Sequence, residues 1–534
     1  MSPRTISQTE LDSHKSASSC WVIIHGKVYD VTNFLPDHPG GKRSILVRAG
    51  KDATDDFDAI HPPGTLEEVF KDDSAIVGLP DFASAATEPS AETTTNPIQS
   101  EPTTAPQHQA LAPSDSIKMV DYKETPADMI NIADIEEHAH RTLSKKAWAY
   151  YFSASDDMET KTFNNTAFSL IRFRPRIFRN VTTVDTRSYI LGTRTSLPLF
   201  VSPAALARLA HPDGEKAIAR ACGSQGIVQM ISNNASLKYP DIVSARVDPA
   251  QPFMFQLYVQ FERERSVKQL AEVVKAGCKA VVLTLDAPAP GKRELDERVG
   301  REEARESGIP DDDEDGAEQP LSAASGRGGK EEAAGGVGRA LFQGTAADLV
   351  WDDLKWLRGL LPKDVKIILK GLQSVEDVIL AASQREKKTN IPLVDGVMLS
   401  NHGGRALEGA PAPIMILREL NRYAPQVLKS HLEIYIDGGI RRGTDIVKAL
   451  CLGAKQVGIG RPALFGLAGG FGQQGVNRAI QILREELETA LRLLGVTSLD
   501  QLGPEYLNTA QLDAILGPSP DDAAVASIAF KSKI

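Results

Sequence analysis

The sequence predicts a multidomain chain: a small α+β block at the front, followed by a parallel (β/α)8 TIM barrel. Three observations predict it. Residues 1–79 form a compact block with two short strand patterns and their own aromatic residues. Residues 80–116 switch to Pro, Thr, Ser, Ala, Gln and Glu with almost no aromatics, a composition that cannot support a core and reads as a flexible linker. Over residues 117–502 apolar runs of strand length recur eight times, mostly separated by helical segments, and residues 503–534 are set apart as a carboxy-terminal tail. At 534 residues the chain is also too long for one ordinary domain.

In the front block, Cys20-Trp21-Val22-Ile23-Ile24-His25-Gly26-Lys27-Val28-Tyr29-Asp30-Val31 reads as two strands around a glycine-containing turn. Phe34-Leu35-Pro36-Asp37-His38-Pro39-Gly40-Gly41 follows, then a helical segment around Ile45–Ala49, then a second histidine in Asp58-Ala59-Ile60-His61-Pro62. Each histidine stands beside a proline that fixes the local backbone. Two neutral imidazoles facing each other across a pocket can ligate a haem iron from both sides; the spacing alone also fits two exposed loop histidines. Asp52, Asp55, Asp56, Asp58, Glu67, Glu68, Asp72 and Asp73 make the surroundings of His61 acidic. That suits either a solvated face or a docking surface for a basic electron acceptor.

Beyond the linker, Ile132–Leu143 and Ala147–Phe152 read as helices. The eight apolar runs are Leu199–Val201, Ile227–Ile231, Phe253–Val259, Ala280–Leu285, Lys366–Lys370, Gly396–Leu399, Glu433–Ile436 and Gln456–Ile459. Continuous apolar strands alternating with helices such as Ser266–Lys275 and Ser374–Ala382 are what a sheet buried on both faces requires. A doubly wound open sheet is the competing architecture. Val476–Leu494 carries Ile480, Leu483, Leu487, Leu491 and Leu494 on one stripe, the packing face of a closing helix. Residues 293–344, rich in Glu, Asp, Gly and Ala, break the rhythm and are expected to be a long loop near the barrel mouth, disordered over its middle.

Nearly every strand ends in a polar residue, where barrels of this kind keep their reactive groups. Ser232 follows the second strand, Gln256 and Tyr258 lie in the third, and Thr284 and Asp286 end the fourth. Lys370 ends the fifth, and Ser400-Asn401-His402-Gly403-Gly404-Arg405 follows the sixth. Glycines with an arginine after the seventh and eighth strands, Asp437-Gly438-Gly439-Ile440-Arg441 and Gly458-Ile459-Gly460-Arg461, suit a phosphate group. A histidine able to take a proton beside an arginine able to grip a carboxylate points to oxidation of a small carboxylic acid.

The front block resembles the cytochrome b5 haem-binding family through its Cys-Trp-Val-Ile strand, Val-Tyr-Asp-Val-Thr-Asn-Phe, the His-Pro-Gly-Gly signature and the second histidine. The resemblance implies haem b with His38 and His61 as axial ligands. Residues 117–502 resemble the FMN-dependent 2-hydroxy-acid oxidoreductases through Ser-Asn-His-Gly-Gly-Arg and Asp-Gly-Gly-Ile-Arg-Arg-Gly, and the whole chain resembles the flavocytochrome b2 family, the fungal L-lactate:cytochrome c oxidoreductases. That likeness implies His402 as the base, Asp286 as its orienting partner, and Tyr258 on the substrate hydroxyl. It also implies Tyr150 and Arg405 on the carboxylate, with Arg293 a second cation nearby. FMN would be held by Ser202, Ala204, Ala205, Ser232, Gln256, Thr284 and Lys370 around its ring. Asp437, Gly438, Gly439, Arg441, Gly460 and Arg461 would hold its ribityl phosphate. The expected activity is oxidation of an (S)-2-hydroxy acid, L-lactate first, with cytochrome c as acceptor. An oxidase, or an enzyme for a larger or more polar acid, is the alternative. Ala154-Ser155 departs from the family's usual Gly-Ala pair, and Asn234 stands where apolar side chains usually line the substrate pocket.

Composition sets the remaining expectations. A formal charge of −10 argues against nucleic acid as the main partner, and no run is long and apolar enough to span a bilayer. Cys20, Cys222, Cys278 and Cys451 are scattered and read as free thiols. The polar first ten residues show no secretory signal. Family resemblance points to the mitochondrial intermembrane space, the scant room before the haem block points to the cytoplasm, and the family's tetramers suggest a homotetramer.

Overall fold

The computed structural model describes residues 4–38, 40–71, 73–81, 123–307, 336–342 and 344–516. The front module is built on a five-stranded sheet in the order Thr5–Ile6, Ile76–Pro80, Lys27–Asp30, Ser19–Ile24, Lys15–Ser16. Its hairpin turns at His25-Gly26, both in the left-handed region. Cys20, Val22, Ile24, Tyr29 and Leu35 form one buried cluster below the short helices that carry the two histidines.

The second module is a closed parallel barrel of eight strands: Leu199–Val201, Val228–Ile231, Phe253–Leu257, Ala280–Thr284, Lys366–Leu372, Gly396–Leu399, Glu433–Asp437 and Gln456–Ile459. Closure excludes the open sheet: the last strand pairs with the first through Gly458↔Phe200 and Ile459↔Val201. Phe200, Met230, Met254, Val282, Ile368, Met398 and Tyr435 fill the barrel interior. Pairing also sets the level of the chemistry, since Thr284 lies opposite Lys370 and Asp437 opposite Gly458. The closing helix, Gly472–Leu494, buries Val476, Ile480, Leu483, Leu487, Leu491 and Leu494, and Gly495 caps it at φ +78°. All four cysteines are buried free thiols. No helix among the described residues is long and apolar enough to cross a membrane.

Two expectations are corrected. The stretch from Arg293 is not simply loop: Glu294–Glu306 is a helix with Glu294, Asp296 and Glu297 in its first turn and Asp296, Val299 and Ala304 buried. The acidic start complements the helix dipole, and a buried face spread among so many charges hides its period. The supposed tail is packed as far as residue 516. Leu507 pairs with Phe173, and Arg418 grips Asp513 through Nε at 2.7 Å and Nη2 at 2.9 Å. Most of the expected linker and the middle of the 293–344 connection lie outside the described residues.

Candidate active site

Parallel strands end on one side of the barrel, so residues far apart in sequence meet there. A cavity of about 170 Å³ at that end is lined by Ser202, Ala204 and Ala205 after the first strand and Ser232 after the second. Gln256 comes from the third strand and Tyr258 follows it, with Thr284 from the fourth and Lys370 from the fifth. His402 and Arg405 follow the sixth, Asp437, Gly438, Gly439 and Arg441 the seventh, and Gly460 and Arg461 the eighth. Tyr150, from the helix Lys145–Phe152, and Arg293 complete the wall. Asp286 does not face the cavity; its side chain is fully buried behind His402.

His402 sits at φ +60°, followed by Gly403 at +65° and Gly404 at +77°. A non-glycine residue held in that region is strained backbone of the kind found at working sites. The turn brings His402 Nδ1 to 2.9 Å from Asp286 Oδ1, so Nδ1–H donates and Nε2 keeps its lone pair. Nε2 lies 3.2 Å from the Tyr258 hydroxyl. Burial pushes the His402 imidazole below its ordinary pKa, and Asp286 only partly restores it, so the ring is neutral near pH 7. Burial pushes the Asp286 carboxyl up, but Lys370 and His402 outweigh it and hold it ionised. Lys370 Nζ stands 3.8 Å from Asp286 Oδ2 and donates to Ser400 Oγ at 3.1 Å. Burial, reinforced by Asp286, keeps the Tyr258 hydroxyl protonated.

Arg405 is fixed by one edge: Nε donates to the Ser153 carbonyl at 3.3 Å, and Nη2 to those of Tyr150, at 3.1 Å, and Tyr151. Arg293 lies 5.9 Å above the Tyr150 ring and 6.0 Å from the Phe342 ring, and its buried Nη1 has no hydrogen-bond partner among the described residues. Burial and the neighbouring Arg293 bring the Arg405 pKa down to about 10. Such crowding of cations awaits an anionic ligand. Arg461 is also a brace, with Nε, Nη1 and Nη2 donating to the carbonyls of Tyr151, Gly403 and Ser153. Arg441 is paired with Glu136.

The lining suits a flavin. Gln256 Oε1 accepts from Asn233 N at 3.0 Å and Ser232 Oγ at 3.3 Å, while its buried Nε2 has no partner among the described residues. Thr284 Oγ1 and Asp437 Oδ1 are also buried and without a partner among the described residues. Buried polar atoms are rarely left so, and these three face a cavity whose other end is glycine and arginine. They match the polar edge of a flavin ring and its ribityl chain.

The front module offers a second site. Ring centres of two imidazoles sharing one metal through ~2 Å bonds lie roughly 6 Å apart; those of His38 and His61 are 6.0 Å apart. Each Nδ1 lies 3.1 Å from a main-chain carbonyl, Gly41 for His38 and Phe57 for His61. That sets both tautomers with Nε2 free to ligate. Burial lowers both pKa values, so both rings are neutral. They stand in a cavity of about 410 Å³ with apolar walls including Val22, Val31, Phe34 and Leu66, which suits a haem.

The barrel closes that cavity with Asp296, Val299, Val337 and Leu341, and Leu341 lines the flavin cavity as well. The modules meet across charges. Arg208 donates to the Asp58 carbonyl, Lys238 pairs with Glu68, and Lys146 lies 3.4 Å from Asp56. Part of the acidic surroundings of His61, read from the sequence as either a solvated face or a docking surface for an outside acceptor, is therefore turned toward the barrel, because the barrel presents matching cations. Sequence reasoning also missed Lys161, Asn164 and Phe342. Asn164 exchanges two amide hydrogen bonds with Asn401, at 2.8 and 2.7 Å. The Phe342 ring lies 5.4 Å from that of Tyr258 and 6.3 Å from that of His402.

Residues 139–509 match the family of FMN-dependent dehydrogenases. The chain belongs to that family. In this FMN-dependent dehydrogenase, residues 7–78 match the cytochrome b5-like haem/steroid binding domain, and its cofactors are FMN and haem b. It is 36% identical to an L-lactate dehydrogenase (cytochrome) of Wickerhamomyces anomalus, over 96% of this chain and 80% of that protein. With the Saccharomyces cerevisiae protein of the same name the identity is 37%, over 98% and 83%. Glycolate oxidase 3 of Arabidopsis thaliana is 34% identical over 72% of this chain and 96% of its own length. Among solved structures, a flavocytochrome b2 variant with bound pyruvate superposes at a TM-score of 0.63 and 36% identity, covering 76% of this chain and 92% of that one.

Proposed function

We propose that this FMN-dependent dehydrogenase oxidises a small (S)-2-hydroxy acid, L-lactate to pyruvate, and sends the electrons through haem b to cytochrome c. The observation that carries the reading is a neutral His402, held on an ionised Asp286, beside the half-buried guanidinium of Arg405 and the buried one of Arg293. The two arginines grip the carboxylate, and Arg405 is already anchored, so little of its freedom is lost on binding. Tyr150 lines the carboxylate end, and Tyr258 hydrogen-bonds the substrate oxygen. FMN, when bound, supplies the acceptor for two electrons, and haem b supplies a carrier of one. His402 Nε2 ends the step protonated whether C2 yields its hydrogen as a proton or as a hydride, and Asp286 stabilises the imidazolium. Lys370 places positive charge beside the flavin ring. Anaerobic flavin bleaching by a panel of 2-hydroxy acids tests the substrate. A His402→Gln variant that bleaches at a near-normal rate ends the base assignment.

One observation favours the second reading, a larger or more polar acid. Asn234 lies in the cavity wall, its Nδ2 donating to the Leu341 carbonyl at 3.2 Å and its Oδ1 accepting from Asn233 at 2.9 Å. A higher kcat/KM for a polar-tailed acid than for lactate decides for it. Peroxide yield with and without cytochrome c separates dehydrogenase from oxidase. The assembly proposed alongside is a homotetramer, tested by light scattering.

A further inference from the structure

Lys161 is a half-buried cation that no part of this mechanism uses. It is the third residue of the helix Glu159–Ser169. A Cβ at Gly404 would come within 2.7 Å of the Lys161 main-chain nitrogen, so the start of this helix lies against the loop bearing His402 and Arg405. The side chain lines the cavity together with Gly439, Arg441, Gly460 and Arg461. Its ammonium sits 2.9 Å from the centre of the Phe152 ring, a π-face rather than a carboxylate. The charged groups acting on it are Arg461, Glu136, Arg405 and Arg441. Of the two arginines at that end, Arg461 is tied to three carbonyls and Arg441 shares its charge with Glu136. A dianion there needs a further donor.

We infer that Lys161 is that donor and binds the phosphate of FMN directly. The inference rests on the proposed assignment of this end of the cavity to the ribityl phosphate. A compact ammonium with three donors suits a phosphate. Burial, then Arg461, bring the Lys161 pKa down to about 7. An arriving dianion favours the charged ammonium, so binding above about pH 7 takes up a proton. The phosphate is already dianionic there, its own second pKa being ~6, which leaves Lys161 to titrate.

The test uses the full haem-containing chain freed of flavin, titrated with FMN and with riboflavin by fluorescence quenching. Lys161→Met is expected to weaken FMN by roughly 10- to 100-fold, the worth of a charge-assisted hydrogen bond. Riboflavin affinity should not change, and Lys161→Arg should restore most of the loss. Wild-type FMN affinity should fall as pH rises above about 7, and Lys161→Met should flatten that dependence. Equal losses for FMN and riboflavin would reduce Lys161 to a packing residue and overturn the inference. Unchanged FMN affinity with a raised KM for the hydroxy acid would overturn it in favour of a substrate contact. If Lys161→Met loses its haem spectrum, Lys161→Gln gives the same comparison. A wild-type protein that binds FMN no better than riboflavin would instead undo the phosphate assignment itself.

Discussion

Replacing Asp286 by asparagine keeps the shape of the site and removes one charge. In the wild type, Asp286 Oδ1 is 2.9 Å from His402 Nδ1, and no solvent reaches the carboxylate. When Nε2 takes a proton, the new imidazolium and the carboxylate stand as a close ion pair. At a charge separation of ~4 Å and an effective dielectric of ~20, their attraction is about 4 kcal/mol. At about 1.4 kcal/mol per tenfold in rate, that is a loss on the order of 10³-fold in the flavin-reduction step. The asparagine amide can also point its NH2 at Nδ1, which would favour the other tautomer and remove the lone pair from Nε2. KM should change far less, because the carboxylate-binding arginines are untouched. The assay is anaerobic stopped-flow flavin bleaching, with haem absorbance and far-UV circular dichroism as checks on folding. A loss below about 10-fold in a folded, FMN-loaded Asp286→Asn protein would refute the reasoning, since the pair would then lack the coupling its burial and geometry imply.

Three further outcomes are expected. His61→Ala should abolish haem b absorbance and acceptor reduction while the rate of flavin bleaching by hydroxy acid holds within about 2-fold, because among the described residues the two cofactor cavities share only the wall at Leu341. The acid limb of kcat/KM should report His402: the neutral ring is the active form and burial lowers its pKa, so activity should persist below pH 6.5 and then fall tenfold per pH unit. Lys238→Ala should leave the melting temperature almost unchanged, since an exposed pair such as Lys238–Glu68 contributes only ~0–1 kcal/mol. Flavin-to-haem transfer measured by stopped flow should nevertheless slow and lose part of its salt dependence, as this pair links the haem module to the barrel.

Much of the candidate site was legible because a parallel barrel makes order along the chain equivalent to position around a ring. Each apolar run announces a strand, and the residue after it must lie at the same end as the others. Ser232, Thr284, Lys370, His402, Asp437 and Gly460 therefore fall on one cavity whatever the intervening connections do. The haem histidines were legible through the resemblance of the front block to the cytochrome b5 family, since their spacing alone also fits two exposed loop histidines; the structure adds that each Nδ1 is satisfied within four residues of its own position. The helix from Glu294 was missed because its buried positions, Asp296, Val299 and Ala304, are outnumbered by charges and one of them is itself charged.

Taken alone, the sequence determined the modules, the eight buried strands and the polar groups that end them, because all of these follow from local periodicity and from which residue ends each strand; closure of the ring came only with the pairing of Gln456–Ile459 on Leu199–Val201. Tertiary structure decided the rest. It buried His402, which keeps the ring neutral, and set Asp286 behind it, which leaves Nε2 as the acceptor; it turned Asp56 and Glu68 toward the barrel, by bringing up Lys146 and Lys238; and it carried Lys161 to the glycine-rich end of the cavity. Those are distances between groups far apart along the chain, fixed by how helices pack on the barrel, and no local pattern encodes them.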